Sequence, residues 1–111
     1  MRYIKRQWLS AAIIVAAAPL MMANAYYSTQ QIGVIRGPDT RMCTFFVLVG
    51  VSVADPVVPN VPWFALPKSD PGYNDRMALL LSSKMAGKPI SVGTDGTVSC
   101  GHATAVVIEI P

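Results

Sequence analysis

The order of elements legible in the sequence predicts a mainly β fold with one α-helix: a small five-stranded OB-like barrel with the helix between strands 3 and 4. Three observations carry this. Runs of β-branched and aromatic residues fall at residues 32–35, 41–54 and 63–66, ahead of a single capped helical segment. Two further strand patterns, beginning at residues 89 and 97, follow that segment. Turn residues divide the runs: Gly37-Pro38-Asp39, the three prolines of residues 55–62, and Asp95-Gly96.

Each element has its own grounds. Residues 26–31 read as a polar lead-in, with Tyr26 and Tyr27 as a flexible end. Ile32-Gly33-Val34-Ile35 is the first strand. Residues 41–54 (RMCTFFVLVGVSVA) form the longest strand pattern, and Gly50 in its middle predicts a bulge where a long strand curls. Residues 55–62 (DPVVPNVP) are loop or edge because proline donates no ladder hydrogen bond. A short third strand, Trp63-Phe64-Ala65-Leu66, stops at Pro67. Asp70 is then the expected N-cap, with Pro71 at N1 and Asp75 near the first turn. Lys84 favours the helix C-terminus, and Gly87 ends it. The fourth strand begins at Pro89-Ile90-Ser91-Val92. Asp95-Gly96 is expected as a two-residue hairpin turn into a fifth strand that runs to Ile110, interrupted at Gly101.

Residues 1–25 read as a cleavable secretory leader. Arg2, Lys5 and Arg6 give a positive start, residues 9–22 are uncharged and mostly apolar, and Ala23-Asn24-Ala25 supplies the small residues a signal peptidase accepts. The apolar run spans 14 residues, against the roughly 20 needed to cross a bilayer, and Pro19 interrupts it. Cleavage after Ala25 leaves residues 26–111, one domain of 86 residues, in the periplasm or outside the cell. No membrane anchor is expected.

Cleavage also removes the charge excess. The full chain carries a formal +3, but residues 26–111 hold six positive and six negative side chains. A nucleic-acid binder needs a basic face to displace counterions from phosphates, and no such cluster remains. Cys43 and Cys100 are the chain's two cysteines. An even number in an oxidising compartment reads as one disulfide. So small a core also favours self-association, which buries surface that a monomer leaves wet.

The helix supports this. Met77-Ala78-Leu79-Leu80-Leu81 is apolar on more than one face, whereas a monomer's surface helix shows one apolar stripe. Leu80, Met77 and Tyr73 are placed to pack on the barrel. Met77, Leu79 and Ala86 are the candidate contacts with neighbouring subunits.

Residues 77–92 (MALLLSSKMAGKPISV) resemble the helix and following strand of Shiga-type toxin B subunits, within the wider group of AB5 B subunits. The shared features are a triple leucine, a serine, a glycine stop and a strand at this spacing. Gly101-His102-Ala103 followed by Val106-Val107-Ile108 stands where that family has a glycine-bearing stretch and a terminal strand. The likeness covers residues 77–110. It implies a pentameric ring with the helices at the centre, a rim that binds cell-surface glycans, and a catalytic partner chain. The family's sugar-contacting residues lie outside the matching part, so none is assigned here.

Catalytic constellations are not legible. His102 is the single histidine; Ser91, Ser99 and Asp95 lie near it in sequence, without a nucleophile elbow. One histidine and two bridged cysteines do not furnish a closed zinc site, and the acidic residues follow no calcium-loop spacing. Asp70 and Asp75 serve the helix start. Gly93, Gly96 and Gly101 precede no helix and so make no phosphate loop. No cofactor or metal is expected. Trp63 is the candidate ligand contact, since sugars stack on indole faces and amphipathic aromatics favour interfaces; the alternative is that Trp63-Phe64 is simply core strand. Lys68, Ser69, Asp70 and Asn74 around the helix start are positioned to offer hydroxyl-binding groups. The reading is an exported, non-catalytic binding module, oligomeric and glycan-binding; the alternative is a small periplasmic inhibitor or accessory protein that grips another protein, with residues 55–62 as its protruding loop.

Overall fold

The computed structural model describes residues 24–111; the leader expected over residues 1–25 lies almost wholly outside the described residues. Six strands and one helix run in the order β1 (Tyr26–Gln30), β2 (Ile32–Arg36), β3 (Cys43–Leu48), β4 (Phe64–Pro67), α1 (Tyr73–Ala86), β5 (Ile90–Ser99) and β6 (His102–Glu109). The strands form one sheet in the order β1-β5-β6-β4-β3-β2. Neighbours are antiparallel except β4 and β6, which run parallel.

The fold is mainly β with one helix, as the sequence predicts, but it has six strands rather than five and the helix follows the fourth. The difference lies at the start of the chain. Residues 26–30 are a strand and not a flexible lead-in. Tyr27 turns inward, with its ring edge-on to Phe64 at a centroid distance of 6.1 Å, while its polar neighbours face outward. Polar composition here marks the solvent side of a strand. Thr29 has a φ of 54°, the β1–β5 register shifts between Tyr27 and Gln30, and Gln31 alone separates β1 from β2. The chain thus leaves β5 at that kink and pairs next with β3.

Three further expectations are corrected. β3 ends at Leu48, and Gly50, at φ 85°, stands in a turn closed by Val51 N–H on the Leu48 carbonyl rather than in a strand bulge. Asp95-Gly96 lies inside β5, where Thr94 pairs with Ala105 and Val98 with Ala103, so it is a bulge and not the hairpin turn. That turn is Cys100-Gly101, between the paired Ser99 and His102, with φ values of 53° and 81°. Two consecutive positive φ angles give the backbone twist that a two-residue hairpin needs. Finally, α1 begins at Tyr73 with Gly72 as its cap residue, and Asp70 lies one turn earlier, accepting the Gly72 N–H at 2.8 Å. The other end behaves as expected. Gly87 is left-handed at φ 69°, Lys84 sits in the last turn, and its Nζ donates to the Gly33 carbonyl at 2.7 Å, tying the helix to β2.

The main core is apolar and closely packed. Phe46 of β3 and Phe64 of β4 stack with centroids 5.1 Å apart. Leu48, Leu66, Leu80, Ile90 and Val92 surround them, all fully buried. Each such side chain stabilises the fold by about 1.5–3 kcal/mol. β3 is buried on both faces: Thr44, Phe46 and Leu48 face this core, while Cys43 and Phe45 join Ala65, Trp63 and Cys100 in a second cluster. The Cys43–Cys100 disulfide fastens the start of β3 to the β5–β6 turn.

Candidate functional site

A cavity of about 300 Å³ opens beside the kink between β1 and β2, lined by Tyr27, Gln30, Gly50, Val51, Ser52 and Val53. β1 supplies the first two, and the turn after β3 supplies the rest. Gly50 serves the site through its backbone: an added Cβ would meet nothing within 4 Å, but its positive φ strains any other residue. The Tyr27 hydroxyl donates to the Val53 carbonyl and so fastens strand to turn. Burial raises the pKa of Tyr27, and the charge of Asp55 adds to the effect, so the group stays a neutral donor. Gln30 Nε2 donates to the Ser28 carbonyl at 3.2 Å. None of the lining residues is charged. Such a wall offers amide, hydroxyl and carbonyl groups around one aromatic ring, which suits a small neutral hydroxylated ligand and repels neither sign of charge.

Two residues after Val53 of the cavity wall comes Asp55, which has no exposed surface. Its Oδ1 accepts the Val57 N–H at 2.9 Å, and its Oδ2 accepts the Thr94 hydroxyl. Thr94 in turn meets the Ala25 backbone: its N–H donates to the Ala25 carbonyl at 2.8 Å, and its Oγ1 accepts the Ala25 N–H at 2.9 Å. Ala54 N–H donates to the Val61 carbonyl at 2.9 Å. The segment expected to protrude, residues 55–62, is therefore pinned at its root.

Trp63 is elsewhere. It is half-buried against the Cys43–Phe45–Ala65 cluster, and the Arg36 guanidinium covers its ring at 4.8 Å. The structure does not bring it to the cavity. Arg41 lies over Phe45 at 4.9 Å, pairs with Asp39 at 2.7 Å and donates to the Cys100 carbonyl at 2.9 Å. His102 stands edge-on to Phe45 at 5.0 Å, and its buried Nδ1 has no partner. Burial lowers its pKa, Arg41 lowers it further, and Asp39 opposes them. The serines and aspartate near it in sequence are engaged elsewhere. Ser99 Oγ pairs with Thr104 Oγ1 at 2.6 Å, Ser91 Oγ accepts the Thr29 N–H, and Asp95 accepts from Thr97, whose side chain and N–H hold its pKa down. At the helix start, Asp70 is held below the usual carboxylate range by the Gly72 N–H and then by Arg76, 2.9 Å away. Among the described residues no three His, Cys, Asp or Glu side chains converge as metal ligands.

On α1, Met77 and Leu79 are partly buried against the core, and Ala86 is exposed. A further exposed stripe runs along Ala78, Leu81 and Met85, with Met85 87% exposed. Sequence reasoning set Leu80 on the barrel but named Met77, Leu79 and Ala86 rather than these three as outward contacts, because an unbroken run of five apolar residues covers every face of a helix. Tyr27, Gln30, Ser52, Asp55 and Thr94 were missed too. The Asp-Pro pair between Ala54 and Val57-Val58 was a trace of the buried aspartate, but nothing local marks Thr94 as its partner. No described helix is long and apolar enough to cross a membrane. Comparison with protein-family models, with curated proteins and with solved structures finds no match to the chain.

Proposed function

We propose that the chain is an exported, non-catalytic binding module: an OB-like barrel that self-associates, with a pentamer favoured, and takes a neutral glycan in the Tyr27–Gln30–Ser52 cavity. The observation that carries the binding role is the uncharged lining of that cavity. The barrel reading rests on the sheet order. Its two end strands, β1 and β2, are consecutive halves of one kinked strand, so the sheet returns to its own start. Counted as one, they leave five strands, a parallel pair between the third and the last, and a helix between the third and fourth. Export is supported by the disulfide, which an oxidising compartment sustains. Self-association is supported by the exposed Ala78–Leu81–Met85 stripe, whose occupant in this reading is the same stripe on further copies. A catalytic partner chain belongs to the toxin-type version of this reading.

The test has two arms. Light scattering of the processed, oxidised protein across a dilution series should give a stable oligomer, and Leu81→Lys with Met85→Lys should dissociate it without loss of fold. A glycan array should then give a neutral saccharide whose binding falls at least tenfold in Gln30→Ala with Ser52→Ala. A clean monomer sinks the ring and moves the inhibitor or accessory role to first place. Binding unaffected by the cavity variants removes the cavity as the site.

A further inference from the structure

Asp55 is a buried carboxyl for which no cation is found: the ion pairs among the described residues are Arg41–Asp39 and Arg76–Asp70. Burying a carboxylate without a counter-charge is costly, and proteins normally pair such groups. Its two acceptor contacts come from the Val57 N–H and the Thr94 hydroxyl. On the far side of that hydroxyl lies the Ala25 backbone, with its N–H 2.9 Å from Thr94 Oγ1. The same hydroxyl lies 3.4 Å from the Ala25 carbonyl, so the expected processing bond, Ala25–Tyr26, is one hydroxyl away from the buried aspartate. It is also paired into the sheet, since the Ala25 carbonyl accepts the Thr94 N–H at 2.8 Å. A peptidase reads an extended, unpaired chain, so this bond is open to cleavage only before β1 docks on β5.

We propose that processing at Ala25–Tyr26 supplies the missing counter-ion: the new Tyr26 ammonium settles against Thr94 and Asp55 and locks in place residues 50–55, of which 50–53 line the cavity. Cleavage consumes water. Ala25 leaves with the leader as its carboxylate, and Tyr26 keeps the nitrogen, which takes a proton. Thr94 loses the two neutral hydrogen bonds to Ala25, and the site gains a charge-assisted contact, the stronger kind. Tyr27, fixed to the Val53 carbonyl beside Asp55, is the titratable neighbour of the pair, and it stays neutral. The leader is then more than an address, because its amide at Ala25–Tyr26 withholds a charge that the mature core uses.

The experiment starts from the full chain, exported and purified after processing. Intact mass should place Tyr26 first. The pKa of its α-amine, read by NMR titration, should lie above the ordinary range of about 7.7–8.0 and return to it in Asp55→Asn. Acetylation of that amine should lower Tm in the wild type and leave Tm unchanged in Asp55→Asn, a cycle that isolates the pair. A different first residue, an ordinary α-amine pKa in the wild type, or equal acetylation penalties in both proteins overturns the proposal. Should Asp55→Asn fail to fold, the wild-type pKa decides alone. No ligand enters these readouts, so their failure is distinct from failure of the glycan reading.

Discussion

His102 carries its ring against Phe45 with a buried Nδ1 that has no partner, and its pKa is lowered chiefly by that burial. The unfolded chain therefore takes a proton more readily than the folded one. Stability from this group is complete above the unfolded value of about 6.5 and is lost as pH falls through it toward the folded pKa. Urea unfolding at pH 7 and pH 5 should show the loss in the wild type and its absence in His102→Gln. Asp39, Asp70 and Asp95, whose carboxyls are all held low, titrate below that window. Thr94 is the other informative side chain. Thr94→Val takes from Asp55 one of the two hydrogen bonds its carboxylate accepts in the structure, so the substitution should destabilise by about 1–3 kcal/mol, measured by chemical denaturation. Neither role was readable in advance. A histidine beside glycine looks like a loop residue until Phe45 is placed beside it, and a threonine in a strand looks like solvent-side polarity until Asp55 is found behind it.

At the level of elements, local chemistry was a good guide to where α1 ends and a poor one to which turn closes a hairpin. Gly87 shows the first half. It ends α1 at φ 69°, and Gly87→Ala should cost about 1 kcal/mol in thermal or urea unfolding, because alanine resists that conformation. Asp95-Gly96 shows the second half. It has the composition of a hairpin turn, but the ladder between Thr94–Ala105 and Val98–Ala103 carries β5 past it, and Cys100-Gly101 turns the chain instead. The disulfide to Cys43 fixes that turn from outside, a constraint that dipeptide preference does not contain. The candidate site was illegible for a similar reason. Its residues come from a stretch that looked too polar for a strand and from the far end of a strand that looked longer than it is.

For the molecule as a whole, the disulfide is the long-range fastening, with a sequence separation of 57. In the chain-entropy account such a loop stabilises by about 4 kcal/mol. Reduction, or Cys43→Ala with Cys100→Ala, should lower stability by an amount of that order, checked by urea unfolding with and without reductant. The same treatment should loosen the second cluster first, since Cys43 and Cys100 both pack there with Phe45, Ala65 and Trp63. The strand-and-helix class was legible from the order and pattern of residues, because the apolar run of β3, buried on both faces, and the glycine stop of α1 leave plain traces. The split first strand was not, because a kink at Thr29 is set by partners more than sixty residues away.

The kink has a consequence in time. A ribosome releases β1 first, yet its partner is β5, near the end of the chain, while β2 pairs with the nearby β3. The first strand to emerge is the one that must wait longest, and contacts so distant in sequence form slowly. Until β5 arrives, β1 remains a strand with an open edge, available to proteases and to other chains. The β5–β6 hairpin, local and closed by a two-residue turn, is suited to form early once made, and β1 then completes the sheet. An order of this kind gives any leader ahead of Tyr26 a waiting period in which its junction stays extended and within reach.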